Sequence, residues 1–582
     1  MLSPLTLLSL VSQLSAQTWC NKNYLPGQPV VPPGGQFPAP ELHPSPLLAL
    51  RCAPIITPYL DDDDRGGILV EAFLTFARYS GAEPIASPPD PPGAATLDVS
   101  ISAGSAVLTT GVLAFNATTE LYFPLASLGR LRRQPFEIEC AAAYAAPRAL
   151  EVQRFSAATV LSYMPQPPAG SVTKRDARTG ALLVKPAGGA AYEAIFPMGF
   201  YTSFDGYLDS DLSILDDLKA QGFTIVHPVP TFGDLDALKK VLDRMEELGL
   251  YLVYDMRHTY ADPAALAAEV TLIKTRPNLL MWYTADEPDG TSAPPAAPRR
   301  AYAAIHALDG YHPVALALNC ADYAFAAYAA AADVVMPDTY PVGIDPAWSV
   351  KYKTPCTEDF GCCGCDGCRG GLGDGARRLD DFALRLDVLG WTRARVLWAV
   401  PQAFGGEEFW TRAPTGREFA VQVLLSINHG ARGIMPWLDP TPPDIKHTAS
   451  ALAGALTAVA HLLFSPCAAF RHLHLPAAAG GLDVGLWSAG AGTEIETLVL
   501  VANADADARA GEVRLPLSEG VEGVEVREVL NDGVRWRFGR GGQREQGLEL
   551  EVEGLGWAVL VLVAHPGPGT RAVAFHAQGD EL

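Results

Sequence analysis

Acidic residues gather after two apolar runs of this sequence. The stretch W-Y-T-A-D-E-P-D-G carries Asp286, Glu287 and Asp289, and V-P-Q-A-F-G-G-E-E-F-W carries Gln402, Glu407 and Glu408. Other apolar runs end in Asp255, Arg257 and His258, in Asn319, in Asp338 and Tyr340, and in Trp437 and Asp439. Aromatic residues such as Phe404, Phe409 and Trp410 are interleaved with them. Two carboxyl groups flanking a glycosidic bond can hydrolyse it. One protonates the leaving oxygen, and the other attacks the anomeric carbon or activates water. Aromatic faces suit the C–H faces of a neutral sugar. For most of these acids a helix cap or a surface ion pair is the simpler reading. Glu287 stands apart because it follows an apolar run and precedes Pro288, which helps to end a strand. A half-buried place there raises a carboxyl pKa, so Glu287 is the candidate acid. Asp286, Asp255, Arg257, His258, Asn319, Asp338, Tyr340, Gln402, Trp410, Trp437 and Asp439 are candidate substrate-binding residues.

No cofactor and no metal is expected at this site. H-E-x-x-H is absent, and His227, His258 and His429 are isolated in the sequence. The one H-x-H, His472 to His474, falls in a strand-like run beyond the last of these segments. A metal-dependent hydrolase is therefore the weaker reading.

Such residues need a scaffold that brings strand ends together. From about Ala194, strand-length runs alternate with amphipathic ones. The expected strands are Ala194–Tyr201, Phe223–Pro228, Leu250–Asp255, Leu279–Thr284, Pro313–Asn319, Val334–Pro337, Val396–Val400 and Gly433–Trp437. Expected helices include Asp211–Gln221, Asp234–Leu248, Ala264–Thr275, Arg377–Leu389 and Pro414–His429. Eight alternations predict a (β/α)8 TIM barrel over 193–466, with its chemistry at the C-terminal strand ends. No Gly-rich phosphate loop supports a doubly wound sheet instead. Residues 17–192 and 467–566 carry short alternating runs with turn residues and predict flanking β-sandwiches. Their turns include Asn531-Asp532-Gly533, and 567–582 reads as a flexible tail.

Composition agrees. The 582 residues are enough for several domains, and 49% hydrophobic against 19% charged excludes a disordered chain. The net charge of −22 repels phosphate and anionic lipid, so neither nucleic acid nor membrane is an expected partner. A carbohydrate is; oligomeric state is open. Residues 1–16 are short, apolar and end in small side chains, as a secretory signal does. Ten cysteines in such a chain predict disulfides. Five of them, Cys356, Cys362, Cys363, Cys365 and Cys368, crowd one loop. Overlapping C-x-x-C units without histidine favour a disulfide-stapled loop over zinc, and the odd number predicts one bond to a distant cysteine. Asn116 begins the only N-x-[ST] sequon, a candidate glycosylation site. The terminal Gly579-Asp580-Glu581-Leu582 matches the K-D-E-L type of retrieval signal at three positions. Passage through the endoplasmic reticulum is expected, with secretion the default and partial retention the variant.

The Asp-Glu-Pro at the end of the fourth run resembles the Asn-Glu-Pro of clan-A retaining glycoside hydrolases, whose strand-4 Glu is the acid/base. W-Y-x-A-D-E-P-D-G, the Cys-rich loop, V-P-Q-A-F-G-G, P-T-G-x-E-F and N-H-G together resemble a group of secreted glycoside-hydrolase-superfamily proteins known mainly from fungi. The likeness covers about Phe196 to Phe464. It implies a glycoside hydrolase acting on O-glycosidic bonds, with Glu287 as acid/base. Two positions depart from clan A. Asp286 stands where an Asn would bond the sugar 2-hydroxyl, and strand 7 ends in Gln402 where the nucleophile Glu is implied. Glu407 or Glu408 is then the candidate nucleophile or base. Otherwise an inverting mechanism would use Asp338, Asp439 or Asp255 as base. The rival expectation is a non-catalytic carbohydrate-binding pseudoenzyme on the same barrel.

Overall fold

The computed structural model describes residues 18–25, 31–32, 34–89, 91, 95–146, 151–186, 189–474, 481–490, 494–507, 511–516, 521–540 and 546–566. The leader read over 1–16 and the Gly579–Leu582 tail lie outside them.

The chain has several sheets. Central among them is a seven-stranded parallel sheet in sequence order. Its strands are β1 (Tyr201–Ser203), β2 (Ile225–Val229), β3 (Tyr251–Asp255), β4 (Leu279–Tyr283), β5 (Val314–Leu318), β6 (Val334–Pro337) and β7 (Val396–Leu397). The segment 433–439 joins its two edges. Met435 N donates to Ala399 O (3.0 Å) and Ala403 N to Trp437 O (2.9 Å) on one side. On the other, Tyr201 N donates to Pro436 O (3.2 Å) and Asp439 N to Tyr201 O (2.7 Å). The sheet is closed through this eighth segment. Alternating side chains confirm two buried faces: Val253, Met281 and Met336 pack inside the ring, whereas Leu252, Tyr254, Trp282 and Val335 pack outward.

Helices follow every strand. They are α1 (Ser213–Ala220), α2 (Leu235–Leu248), α3 (Pro263–Ile273), α4 (Ala296–Leu308), α5 (Phe325–Ala329), α6 (Gly373–Val388), α7 (Gly416–Asn428) and α8 (Pro443–Ala458). α2 shows why. Leu238, Val241, Leu242 and Met245 form one buried stripe at helical spacing. Asp234 caps its first turn by accepting from the Asp236 and Ala237 N–H groups, and Gly249 ends it at φ 64°. α7 starts on a capping box of Thr415 and Glu418.

The expected first strand is corrected. Glu193–Ile195 pairs antiparallel with Leu182–Val184 in a separate small sheet, whereas from Met198 on the chain bonds into the closed sheet, Gly199 N donating to Ile434 O (3.2 Å) and Thr224 N to Met198 O (2.9 Å). Pro197 lies between them and lacks the N–H that a continuous ladder would use.

Two four-stranded antiparallel sheets precede this unit and share one core, bridged by Cys52–Cys140 between the strands Leu42–Pro54 and Phe136–Tyr144. Asn116 is exposed at the turn between Ala106–Ala114 and Ala117–Pro124. A six-stranded antiparallel sheet follows the closed one. Its strand Ile495–Asn503 alternates, with Val499 and Val501 in its own core and Leu498, Leu500 and Ala502 against the helices of the parallel sheet. Asn531-Asp532-Gly533 is a bulge within the strand Val521–Arg540 rather than a hairpin turn, with Gly533 at φ 76°. No helix among the described residues is long and apolar enough to cross a membrane.

The cysteine expectation is also corrected. Cys356–Cys363 and Cys365–Cys368 close within the loop, and Cys362 stays free. None of the five reaches a distant cysteine; the bond of longest span is Cys20–Cys320, 300 residues apart, and Cys467 is free and exposed.

Candidate active site

β4 delivers Glu287 to the C-terminal end of the closed sheet. Its backbone sits at φ 46°, a left-handed conformation uncommon for a side chain with a Cβ. Two residues hold its carboxyl. Asn319, after β5, donates from Nδ2 to Glu287 Oε1 (3.0 Å). Asp338, after β6, hydrogen-bonds it side chain to side chain. Behind both, Asp289 accepts from the N–H groups of Gly290 (2.9 Å), Asn319 (3.2 Å) and Cys320 (2.9 Å), tying the loops after β4 and β5 together. Burial pushes Asp289 up to about 7 despite those donors.

Burial and the nearby Asp286 charge raise Glu287 above the usual carboxylate range, against the hydrogen bonds from Asp338 and Asn319. Burial and the adjoining Glu287 charge raise Asp338 well above its usual range. Two carboxyls in hydrogen-bond contact cannot both ionise readily, so the pair retains one proton between them. This contact is closer than the separations at which two carboxyls work on opposite faces of a sugar, about 5–5.5 Å or 6.5–9.5 Å. Asp338 is thus placed to hold a proton beside Glu287 rather than to oppose it.

Asp286 belongs to a neighbouring network. Arg257 Nη1 donates to Asp286 Oδ2 (2.6 Å) and Arg257 Nε to Asp255 Oδ2 (2.7 Å). Tyr283 OH donates to Asp286 Oδ1 (2.5 Å), and His227 Nε2 meets Asp255 Oδ2 at 2.7 Å. The Arg257 guanidinium lies 5.3 Å from the centre of the Trp437 ring. Asp255 is almost fully buried. Burial alone would raise its pKa, but Arg257 and His227 hold it below the usual range. This network fixes strand ends, and Asp255 is not a free base.

Several candidates are corrected by their surroundings. Gln402 is completely buried. Its Oε1 accepts from Val342 N (2.8 Å), and its Nε2 donates to Val342 O (3.0 Å) and Phe404 O (3.1 Å). The amide is consumed in bracing the loops after β6 and β7, so it does not bind substrate. Asp439 is buried in an ion pair with Lys446 (2.6 Å), accepts from Tyr207 OH (3.2 Å) and lies off the cavity lining that holds Glu287. His258 is exposed and lies outside the cavity lining. Glu407 is exposed in a turn closed by backbone bonds to Trp410, also off the lining.

Above Glu287 opens a cavity of about 880 Å³. Asn319, Tyr340, Trp410 and Glu408 line it, together with Tyr352, Phe409 and the Cys-rich loop. Glu408, at φ 48°, pairs with Lys351 Nζ (2.5 Å). Cys362 also lines it, its thiol pushed up to about 11 by burial.

One wall comes from an unexpected place, the N-terminal arm at 18–25. Cys20 bonds Cys320, Cys20 N donates to Gly290 O (3.0 Å), Gly361 N to Asn23 O (2.7 Å), and Lys22 pairs with Asp366 (2.7 Å). Trp19 Nε1 donates to Asn319 Oδ1 (2.8 Å). An indole N–H only donates, so it selects the Asn319 orientation whose Nδ2 faces Glu287. A Cβ on Gly290 would meet the Trp19 ring at 2.5 Å, so a glycine must stand there. Nothing local to Trp19 signals this role; only the even cysteine count hints at a long-range partner for Cys20.

No family model matches the chain, and no curated protein matches it in sequence. Solved structures similar to it are glycoside hydrolases. A glycosyl hydrolase family 2 member from Bacteroides cellulosilyticus is 10% identical, over 90% of this chain and 76% of that one, at a TM-score of 0.32. α-Galactosidase I from Mortierella vinacea is 14% identical, over 63% and 96%, at 0.38. An α-amylase from Geobacillus thermoleovorans is 12% identical, over 61% and 92%, at 0.40.

Proposed function

We propose that the closed sheet is a (β/α)8 barrel carrying a glycoside hydrolase site for O-glycosidic bonds, with Glu287 as proton donor and Glu408 as the opposing carboxylate. One observation carries this reading: a single aromatic-walled cavity holds both glutamates. Burial keeps the proton on the Glu287–Asp338 pair, while Glu408 is about half exposed and contacts Lys351 Nζ. A buried carboxyl and an exposed one across the same cavity suit different roles, the first as proton donor. Both glutamates also hold left-handed backbone, a strain that positions them on short loops. Asn319 orients Glu287, and Tyr340 and Trp410 offer faces to sugar rings. Tyr352 and Phe409 add neutral aromatic surface to the same wall, which suits the C–H faces of a carbohydrate. Passage through the secretory pathway, with a stapled Cys-rich loop at the cavity mouth, belongs to the same proposal.

A second reading is a carbohydrate-binding pseudoenzyme on this barrel. The buried, fully bonded Gln402 at the end of strand 7 favours it. Incubating the protein with a panel of oligo- and polysaccharides separates the two. Released reducing ends that disappear in Glu287→Gln and Glu408→Gln support the hydrolase. Binding without release supports the pseudoenzyme.

A further inference from the structure

Away from the cavity, residues from three elements meet at the seam between the parallel unit and the C-terminal sheet. His429 ends α7, His472 lies on the strand Ala469–His474, and Asp483 lies on the adjoining Leu482–Ala489. His472 Nε2 lies 2.8 Å and His429 Nε2 3.0 Å from the same oxygen, Asp483 Oδ2. One ligand atom of each residue falls within 4.8 Å of the others. Asn428 Nδ2 donates to Asp483 Oδ1 (2.6 Å) and fixes that carboxylate. A Cβ on Gly485, opposite His472 in the ladder, would strike Asn428 Oδ1 at 2.3 Å, so only glycine leaves Asn428 in place.

Both nitrogens of His429 face carboxylates, since Nδ1 lies 2.7 Å from Asp380 Oδ1 on α6. A neutral imidazole carries one N–H and cannot serve both. The ring is therefore either an imidazolium or the ligand of a cation. The His429 and His472 rings lie edge to face, 4.5 Å apart centre to centre. Both Nε2 atoms and Asp483 Oδ2 lie close enough together to hold one divalent cation. The Asp380 carboxylate behind His429 is the arrangement that orients zinc-bound histidines.

We propose that His429, His472 and Asp483 form a zinc site that staples α7 to the C-terminal sheet. Two imidazoles and a carboxylate suit zinc, and water completes its shell on the quarter-exposed His472 side.

The test uses the full chain, stripped with a chelator and then given Zn2+ or Co2+ alone. The proposal expects one metal per chain by elemental analysis, visible Co2+ bands of low-symmetry coordination, and a higher thermal midpoint with metal. His472→Ala should abolish uptake, and Asp380→Asn should weaken it by about 10- to 100-fold. No uptake of either ion by the wild-type chain overturns the site, leaving a hydrogen-bonded His–Asp cluster, and so does undiminished uptake by His472→Ala. Should that variant fail to fold, the Co2+ titration of the wild type against Asp380→Asn decides.

Discussion

Glu287 and Asp338, from the ends of β4 and β6 on either side of β5, hydrogen-bond carboxyl to carboxyl and hold one proton between them. Both groups are raised, so the proton is present below their folded values and is lost as pH rises through them. The pair's contribution to stability runs the same way, full at low pH and lost on the alkaline side. Asp338→Asn leaves Glu287 to titrate alone, without a second negative charge beside it. The alkaline limb of the rate profile should then move to lower pH by about one unit or more, the coupling expected of a strongly interacting pair. An unmoved limb would mean that the pair does not supply the proton.

Trp19→Phe removes one N–H while Cys20–Cys320 still anchors the arm. Asn319 is then free to turn its carbonyl toward Glu287. Turnover should fall by about 3- to 30-fold, the worth of roughly 0.5–2 kcal/mol of hydrogen bonding, with the thermal midpoint little changed. Turnover equal to wild type would show that the indole does not orient Asn319.

These relationships mark how far the residues alone could be read. Glu287 stood out because an apolar run, an acid and a proline sit together in the chain, and the strand–helix alternation around it was visible as period and length. Asp338 appeared only as one polar strand end among many, since its contact with Glu287 depends on β4 and β6 flanking β5. Gln402 looked like a site residue for the same reason, and only its three bonds to Val342 and Phe404 show it bracing loops. Trp19 was illegible because its partner lies 300 residues away. The Asn531-Asp532-Gly533 turn failed because pairing with the strand Gln546–Pro566 continues past it as a bulge.

Gln402 supplies a stability test. Gln402→Ala should cost about 1–3 kcal/mol in chemical denaturation by orphaning buried backbone groups. Gln402→Glu should cost more, because it buries a charge where Val342 O and Phe404 O accept. A Gln402→Glu protein of wild-type stability with raised turnover would mark this position as a nucleophile seat instead.

The thiols can be counted. Mass spectrometry without reduction should find four disulfides and two free thiols. At pH 8 an alkylating reagent should label exposed Cys467 well before Cys362, whose thiol burial pushes up to about 11. Equal labelling rates would contradict the buried place of Cys362 in the cavity wall.

The proton-donor role of Glu287 is tested most directly by Glu287→Gln, assayed on whichever glycan of the panel the wild-type protein cleaves. General acid catalysis is worth about 10²–10⁴-fold in rate. The variant should lose turnover on that scale while its thermal midpoint stays at or above wild type, because an uncharged amide replaces a carboxyl that resists ionisation. A Glu287→Gln protein that cleaves the same glycan at the wild-type rate would contradict the account.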